Sequence, residues 1–356
     1  MSQIATINER RYLAWRGWPM LAIHSLLSEC VQPESPHAPR KTMHATATEA
    51  PSTALLTLLR SLGQIVLQPN AFTGACLLLA WCLAEPRLAC AALIGAVAAN
   101  VSAILAGYRD EETRAGLHGF NGALAGLAAC HFIADPMTAP AVAILAATGT
   151  AWVLKPCSRW LRARGLGLFS SPCLLVTWLW LPMVTVTNSP LVAPSNHAMN
   201  TARWSDGLLA GLAQTGFASG ALPGLLVLIG IAAASRKHAL WALIGAGLAS
   251  AAHLLLHART SSFDTGLLGF NGALTALALA DGGAVSTLGG IAISVALQAT
   301  ATYFGCPAMT APFVLATWSM QWLRQRVTQD VIESVHVSRI EAGQPPPVSN
   351  RAGRAN

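Results

Sequence analysis

Residues 116–126 read GLHGFNGALAG, and residues 266–276, 150 positions further on, read GLLGFNGALTA. The hexapeptide GFNGAL is identical in the two copies, at positions 119–124 and 269–274. A six-residue identity at equivalent places in two apolar halves predicts a duplicated structural unit. In membrane proteins, a Gly-interrupted apolar segment that recurs at corresponding positions indicates a central binding site.

The composition is typical of a protein embedded in a lipid bilayer. Of the 356 residues, 53% are hydrophobic and only 10% are charged. A soluble domain carries about 25% charged residues, so we expect an all-α polytopic membrane protein in contact with membrane lipid. The net charge of +7 does not indicate a nucleic-acid partner, because the basic residues lie at the ends of apolar segments and in the tails, where they set topology. The eight Cys include no C-x-x-C pair, so we predict neither a metal site nor a cofactor.

Five regions follow from the distribution of polar and apolar residues. They are an interfacial or disordered N-terminal extension (1–50), a first membrane repeat (51–190), an external linker (191–205), a second membrane repeat (206–326) and a disordered cytoplasmic tail (327–356). The extension is basic and Trp-containing near its start, which leaves open a helix lying on the lipid surface. The linker contains Pro, Ser and Asn and, up to residue 200, neither Lys nor Arg.

Each repeat contains five apolar segments that we predict to cross the membrane. They are residues 71–84, 88–107, 117–134, 137–154 and 166–187 in the first repeat, and 221–235, 238–257, 266–281, 284–303 and 307–323 in the second. A shorter stretch precedes them in each repeat, at 53–67 and 207–219. Since a span needs about 20 residues, we interpret these two stretches as re-entrant pore segments.

The positions of the basic residues predict the orientation. With both termini in the cytoplasm, eleven Lys and Arg lie in inside connections and three in outside connections, which is the expected bias. Five crossings per repeat is an odd number, so the second repeat must run opposite to the first. The sequence therefore predicts two inverted repeats, each with five transmembrane helices and one re-entrant segment.

Two further phrases recur and carry polar groups into the apolar halves. Residues 171–178 (SPCLLVTW) parallel 311–318 (APFVLATW), and residues 63–67 (GQIVL) parallel 213–217 (AQTGF). Gln64, Gln214, Thr177 and Thr317 thus recur in the same order, whereas no acidic residue lies in the repeated phrases. Amide, hydroxyl and carbonyl oxygens between apolar walls suit a neutral, flat solute that donates hydrogen bonds.

These phrases resemble the urea transporter family of bacteria and animals. GFNGAL resembles the family's duplicated Gly-Phe/Tyr-Asn-Gly-x-Leu signature, PFVLATW its Pro-Phe-x-x-x-Thr-Trp signature, and GQIVLQPNAFTG its opening re-entrant segment. The resemblance covers residues 52–326 and implies a homotrimer with a narrow pore in each protomer of a plasma or bacterial inner membrane. It implies a passive channel in which apolar side chains sandwich urea against ladders of oxygen atoms.

The resemblance also implies which residues line the pore. One site would contain Ile65, Leu67, Phe120 and Leu124, the other Thr215, Phe217, Phe270 and Leu274, with Gln64 and Gln214 on the oxygen ladders and Thr177 and Thr317 at the constriction. Four positions depart from the family: Leu67 replaces a frequent Phe, Gln214 a frequent bacterial Glu, Cys173 the Phe found at 313, and Thr215 an apolar wall residue. They leave open transport of related small amides, ammonia or methylamine.

Three other functions fit the sequence less well. An ammonium channel would need paired His at mid-membrane, but Leu268 is the counterpart of His118. An ion-coupled transporter would be expected to have a carboxylate inside a span. An intramembrane enzyme is disfavoured because the sequence has neither H-E-x-x-H nor G-x-S-x-G.

Overall fold

A computed structural model describes residues 51–108, 116–184 and 201–341, and every regular element in these ranges is helical. The predicted extension (1–50) and most of the predicted linker lie outside the described residues. The first half contains α1 (Pro51–Gly63), α2 (Ala71–Ala84), α3 (Pro86–Leu105), α4 (Leu117–Phe132), α5 (Thr138–Arg162) and α6 (Ser171–Trp180). The second half contains α7 (Thr201–Ala213), α8 (Ala221–Ala234), α9 (Arg236–Leu255), α10 (Thr260–Asp264), α11 (Phe270–Leu279), α12 (Ala284–Tyr303) and α13 (Ala311–Glu341).

Short 3-10 turns extend several of these helices. Gln64–Val66 follows α1, Leu181–Met183 follows α6, Gln214–Gly216 follows α7 and Ala280–Gly282 follows α11. The chain then bends sharply, by 77° between α1 and α2 and by 70° between α7 and α8. The two bends lie at the places where the sequence predicts re-entrant segments.

The helices are interrupted at equivalent places in both halves, in one case by different types of residue. Glu85 and Ser235 separate the second and third helices of their halves with nearly the same extended backbone, at φ −161° and −159°. In the first half the following Pro86 enforces the extended conformation of Glu85. In the second half Arg236 stands at the position of this proline, and the Ser235 hydroxyl caps α9 by accepting a hydrogen bond from the backbone N–H of His238 at 3.3 Å.

Left-handed backbone positions also recur in pairs. Positive φ values are shared by 67 and 217, 107 and 257, 116 and 266, 165 and 305, and 169 and 309. The first three pairs are 150 residues apart and the last two 140 apart, because α12 is five residues shorter than α5 and the connections before and after it are shorter as well. The duplication therefore extends to turn geometry, including turns whose residues differ.

Contacts between the halves are reciprocal. Trp178 Nε1 donates to the carbonyl of Pro307 at 3.1 Å, and its counterpart Trp318 donates to the carbonyl of Gly167 at 2.7 Å. Gly167 and Pro307 are themselves counterparts, 140 residues apart. Reciprocal contacts of this kind are those of an interface related by a two-fold axis.

The equivalent helices α2 and α8 pack against each other. Thr73 at the start of α2 donates to the carbonyl of Gly230 near the end of α8, at 2.8 Å. Trp81 near the end of α2 donates to the carbonyl of Gly216, just before α8, at 2.7 Å. The start of one helix therefore meets the end of the other, so that the two helices lie antiparallel.

Several helices have the length and composition of membrane spans. Four qualify individually, namely Pro86–Leu105, Thr138–Arg162, Arg236–Leu255 and Ala284–Tyr303, and there are up to six if each bent pair forms one span. Leu105, Trp152, Leu255 and Val285 on these helices are more than half exposed, as expected of surfaces covered by lipid. The protein is a polytopic, all-helical membrane protein.

Two helices extend across predicted region boundaries. α13 continues to Glu341, through the first half of the tail predicted to be disordered from 327, because a helix already formed in the membrane needs no new nucleus to propagate. α7 begins at Thr201, within the predicted linker.

Candidate functional site

Two half-helices end at candidate pore walls. The N–H groups of Leu67 and Gln68 donate to the carbonyls of Gln64 and Gly63, at 2.9 and 3.1 Å, which closes α1 with a Schellman motif. The residue in the left-handed position of this motif is usually Gly, but here it is Leu67, with φ 59°.

The second half repeats this motif. Phe217 has φ 62°, and the N–H groups of Phe217 and Ala218 donate to Gln214 and Ala213 at 3.1 and 3.2 Å. Leu67 and Phe217 are therefore candidate wall residues and also helix caps. The cap geometry fixes the position of the Cβ atom from which each side chain extends.

The apolar candidate residues collect in two clusters. Ile65, Phe120 and Leu124 belong to one, with Leu67 and Phe217 packed against it. Phe270 and Leu274 belong to the other, and Leu67 packs against this cluster as well. The arrangement differs from the expected grouping by half, in which Phe217 accompanied Phe270.

The ring of His131 confirms that Phe217 lies beside the first half. The centroids of the two rings are 5.4 Å apart, and His131 lies in the last turn of α4, the helix that carries Phe120. The cap residue Phe217 of the second half therefore packs beside the helix that carries Phe120, and Leu67 of the first half packs against the cluster that contains Phe270.

Two threonine side chains are fully buried on the helices that close the halves. Thr177 of α6 and Thr317 of α13 are both 0% exposed. Thr177 Oγ1 lies 3.8 Å from Cys173 Sγ, one turn earlier. Thr317 has Phe313 at that position, and its hydroxyl has no hydrogen-bond partner among the described residues. A buried hydroxyl without a partner is destabilising, so Thr317 is a candidate for a contact with a hydrogen-bonding solute.

The asparagine of each GFNGAL phrase joins its helix to the closing helix of the same half. Asn121 Oδ1 accepts from the N–H of Cys173 at 3.1 Å, and Asn121 Nδ2 donates to the carbonyl of Phe169 at 3.3 Å. Asn271 makes the same two contacts with Phe313 and Met309, at 3.4 and 3.0 Å. The two asparagines therefore hold the N-terminal ends of α6 and α13 against α4 and α11.

The glycines of the phrase allow the helices to approach closely. A Cβ on Gly122 would lie 2.4 Å from the carbonyl oxygen of Gly95 in α3. A Cβ on Gly272 would lie 2.4 Å from that of Gly245 in α9. Contacts of this kind between small residues are a common way to join membrane helices.

Charged side chains around the helix ends are paired. Arg203 forms a two-pronged ion pair with Asp264, with distances of 2.7 and 2.9 Å, and Lys237 Nζ lies 2.8 Å from Asp281 Oδ1. Among the described residues, no group of three His, Cys, Asp or Glu side chains could hold a metal ion. The buried polar side chains among the described residues are mostly hydroxyls and amides, together with the imidazoles of His118 and His253.

A family model of urea transporters matches residues 55–325, which is most of the chain. The chain belongs to the urea transporter family. No individual curated protein matches it significantly. The match confirms the resemblance drawn from the repeated phrases, and it assigns this urea transporter to solute transport across a membrane rather than to an enzyme family.

The remaining predicted positions of the transporter lie in the 3-10 turns that follow α1 and α7. Gln64 and Gln214 begin the 3-10 turns and are half-buried. Thr215 is 2% exposed, and its hydroxyl donates to the carbonyl of Leu212 at 2.6 Å. Because this hydroxyl is satisfied within its own helix, the substitution adds no free polar group to the wall.

Sequence reasoning missed several polar groups at the centre of the urea transporter. The hydroxyls of Ser170 and its counterpart Thr310 hydrogen-bond each other at 2.8 Å. Trp180, one turn beyond Thr177, has a buried Nε1 without a partner among the described residues. The signal for the first pair was present, because the 140-residue offset of the closing phrases extends one position further back. No repeat marks Trp180, whose counterpart is Met320.

Proposed function

We propose that the protein is a passive, channel-type urea transporter with one pore in each protomer. The observation that carries this proposal is the fully buried, unpartnered Thr317 hydroxyl next to duplicated apolar walls. A hydroxyl in such a place is satisfied when a hydrogen-bonding solute passes. Weak, repeated binding of this kind permits both entry and release.

The proposed pore runs between two inverted halves, each with five crossings and one re-entrant segment. The antiparallel packing of α2 against its equivalent α8 supports the inversion, because equivalent helices in parallel repeats would run in the same direction. The contacts of Trp178 and Trp318 are reciprocal and support the same relation. This arrangement gives ten crossings and leaves both termini in the cytoplasm.

The chemistry of the candidate pore suits urea. The flat faces of urea fit between apolar walls such as those of Phe120 and Phe270. The four N–H groups of urea can donate hydrogen bonds to oxygens along the path. The proposed pore residues are Gln64, Ile65, Leu67, Phe120, Leu124, Thr177, Gln214, Thr215, Phe217, Phe270, Leu274 and Thr317. Acidic side chains such as Asp264 and Asp281 are paired near helix ends, which favours passive over ion-coupled transport.

Short amides are a second class of solute. Leu67 is smaller than the Phe common in the family, so the slot that it borders has more room. The hydroxyl of Thr215 does not oppose this, since it bonds within its own helix. Acetamide and formamide are therefore expected to pass. They should pass more slowly than urea, because the methyl group or hydrogen atom that replaces one amino group cannot donate hydrogen bonds to the oxygens along the path.

We further propose a homotrimer in a plasma or bacterial inner membrane. Exposed apolar side chains such as Leu105 and Trp152 supply surfaces for lipid and for neighbouring protomers. Each protomer contains both halves of its own pore, so transport does not require the assembly. Monomeric protein retained in detergent would still bind solute.

Stopped-flow light scattering on proteoliposomes tests the function. Vesicles containing the protein should take up urea faster than empty vesicles, without any ion gradient. Uptake no faster than in empty vesicles, or uptake that requires an ion gradient, would contradict a passive channel. Acetamide, formamide and methylamine in the same assay determine the selectivity.

A further inference from the structure

A chain of polar side chains connects the first re-entrant turn to the start of α9. Gln68 Nε2 lies 2.8 Å from His238 Nδ1, and Gln68 is 6% exposed. On the other side of the ring, His238 Nε2 lies 3.4 Å from Asp281 Oδ2. Lys237 contacts the second oxygen of Asp281.

Only one half of the duplicated fold contains this series of polar side chains. The counterparts of Gln68 and His238, 150 residues away, are Ala218 and Leu88. The second turn nevertheless keeps the same Schellman motif, with Phe217 in the left-handed position. The second turn therefore forms without such a polar network, and the contact between Gln68 and His238 is particular to the first turn.

The contact lies directly beside a candidate pore wall. Leu67 has φ 59°, a conformation that costs a non-glycine residue about 1–2 kcal/mol, so its surroundings must hold it. The next residue, Gln68, is fixed at its backbone, whose N–H donates to Gly63, and at its side chain, which meets His238.

We propose that His238 and Gln68 are positioning residues for the pore wall at Leu67, and that protonation of His238 releases this wall and slows solute flux. The proposal rests on the urea channel proposed above. It assigns a pH response to the pore entrance next to α9. The equivalent turn of the other half has Ala218 in place of Gln68, so the His131 ring that packs against Phe217 there has no amide to release.

The hydrogen-bonding capacity of the ring explains the response. In neutral His238, Nδ1 accepts from the Gln68 amide and Nε2–H points to Asp281. In the protonated ring both nitrogens are donors, so that Nδ1–H faces the amide N–H groups of Gln68. The amide must then turn over or separate from the ring.

The neighbouring charges favour separation. The Lys237 ammonium holds the pKa of the Asp281 carboxyl below its usual range, through a hydrogen bond and charge. The Asp281 carboxylate, on the side of the ring opposite Gln68, attracts the protonated ring away from Gln68. The other charged groups here are cations: Arg236 precedes Lys237 on α9, and the Arg324 guanidinium lies beside Gly282.

Urea flux at equal pH on both sides of the vesicle wall tests the proposal. Lowering the pH from about 7.5 to about 5.5 spans the imidazole range and should reduce wild-type flux by about two- to tenfold, the equilibrium factor of one net hydrogen bond. His238→Gln, which cannot titrate, should give a flat profile. Gln68→Ala should abolish the dependence as well.

His257→Asn is the matched control, because His257 is an exposed histidine of the same half and Asn tolerates its positive φ of 61°. It should keep the wild-type pH dependence. Equal flux ratios in wild type and His238→Gln would overturn the positioning role, as would a flat wild-type profile.

Hydrogen exchange separates this inference from the proposed function. Protection of residues 64–70, corrected for the intrinsic effect of pH, should fall on acidification in wild type and stay constant in His238→Gln. If that difference appears while wild type carries no urea at either pH, the positioning role stands and the channel proposal fails. Identical protection in both proteins would overturn the positioning role independently of transport.

Discussion

At the scale of single residues, the two halves have diverged around the buried threonines. The Sγ atom of Cys173 lies 3.8 Å from Thr177 Oγ1, whereas the side chain of Phe313, at the equivalent position before Thr317, has no polar atom. The duplicated hydroxyls are therefore unequal, one with a weak internal partner and one without any among the described residues. We expect the solute to interact more strongly with Thr317.

Thr317→Val should slow urea flux by about tenfold, the factor that corresponds to about 1.4 kcal/mol of lost hydrogen bonding in the rate-limiting step. Because no protein group loses a partner, thermal stability in detergent should change little. Thr150→Val is the control, since Thr150 is equally buried but bonds to Ala147 in its own helix. Equal flux in all three proteins would exclude Thr317 from the path.

At the scale of elements, the boundaries depend on contacts that span many residues. The breaks at Pro86 and Pro172 could be predicted from the sequence, because proline restricts the residue before it and favours a helix start. The left-handed caps at Leu67 and Phe217 could not, since neither residue has an intrinsic preference for that conformation. Tertiary packing decides these positions.

Asn271→Ala should destabilise the protein more than Asn121→Ala. Asn271 bonds to Gln298, Met309 and Phe313, whereas Asn121 makes the last two types of contact only. The expected loss for Asn271→Ala is about 1–3 kcal/mol, measured as a lower thermal midpoint in detergent. A larger loss of stability for Asn121→Ala would contradict the stronger role assigned to Asn271 in joining the helices.

At the scale of the whole molecule, the repeated phrases already predicted the duplication, the helical class and the family. Three recurring phrases sufficed because each marks a place where identical backbone geometry is needed twice. The arrangement of the clusters did not follow from the phrases. Which half supplies each wall depends on how the halves dock, and no sequence offset records that Phe217 packs beside His131.

Inversion predicts that equivalent positions lie on opposite faces of the membrane. In a chain whose eight Cys are replaced, Cys introduced at Glu85 should react with a membrane-impermeant maleimide from outside the cell. Cys introduced at the equivalent Ser235 should react only after the membrane is opened. Labelling of both positions from the same side would show a parallel duplication instead.

At the two caps that end α1 and α7, the residue that best suits the backbone conformation differs from the residue that keeps the proposed pore narrow. Glycine at position 67 or 217 would relieve the left-handed backbone and make each half-helix easier to form. The same change would remove the side chain that borders the solute. Leu67→Gly and Phe217→Gly should therefore leak larger molecules in the liposome assay, while the relieved backbone offsets only part of the packing that each change removes. In the proposed channel, the unfavourable backbone conformation is therefore the means by which the passage is kept narrow.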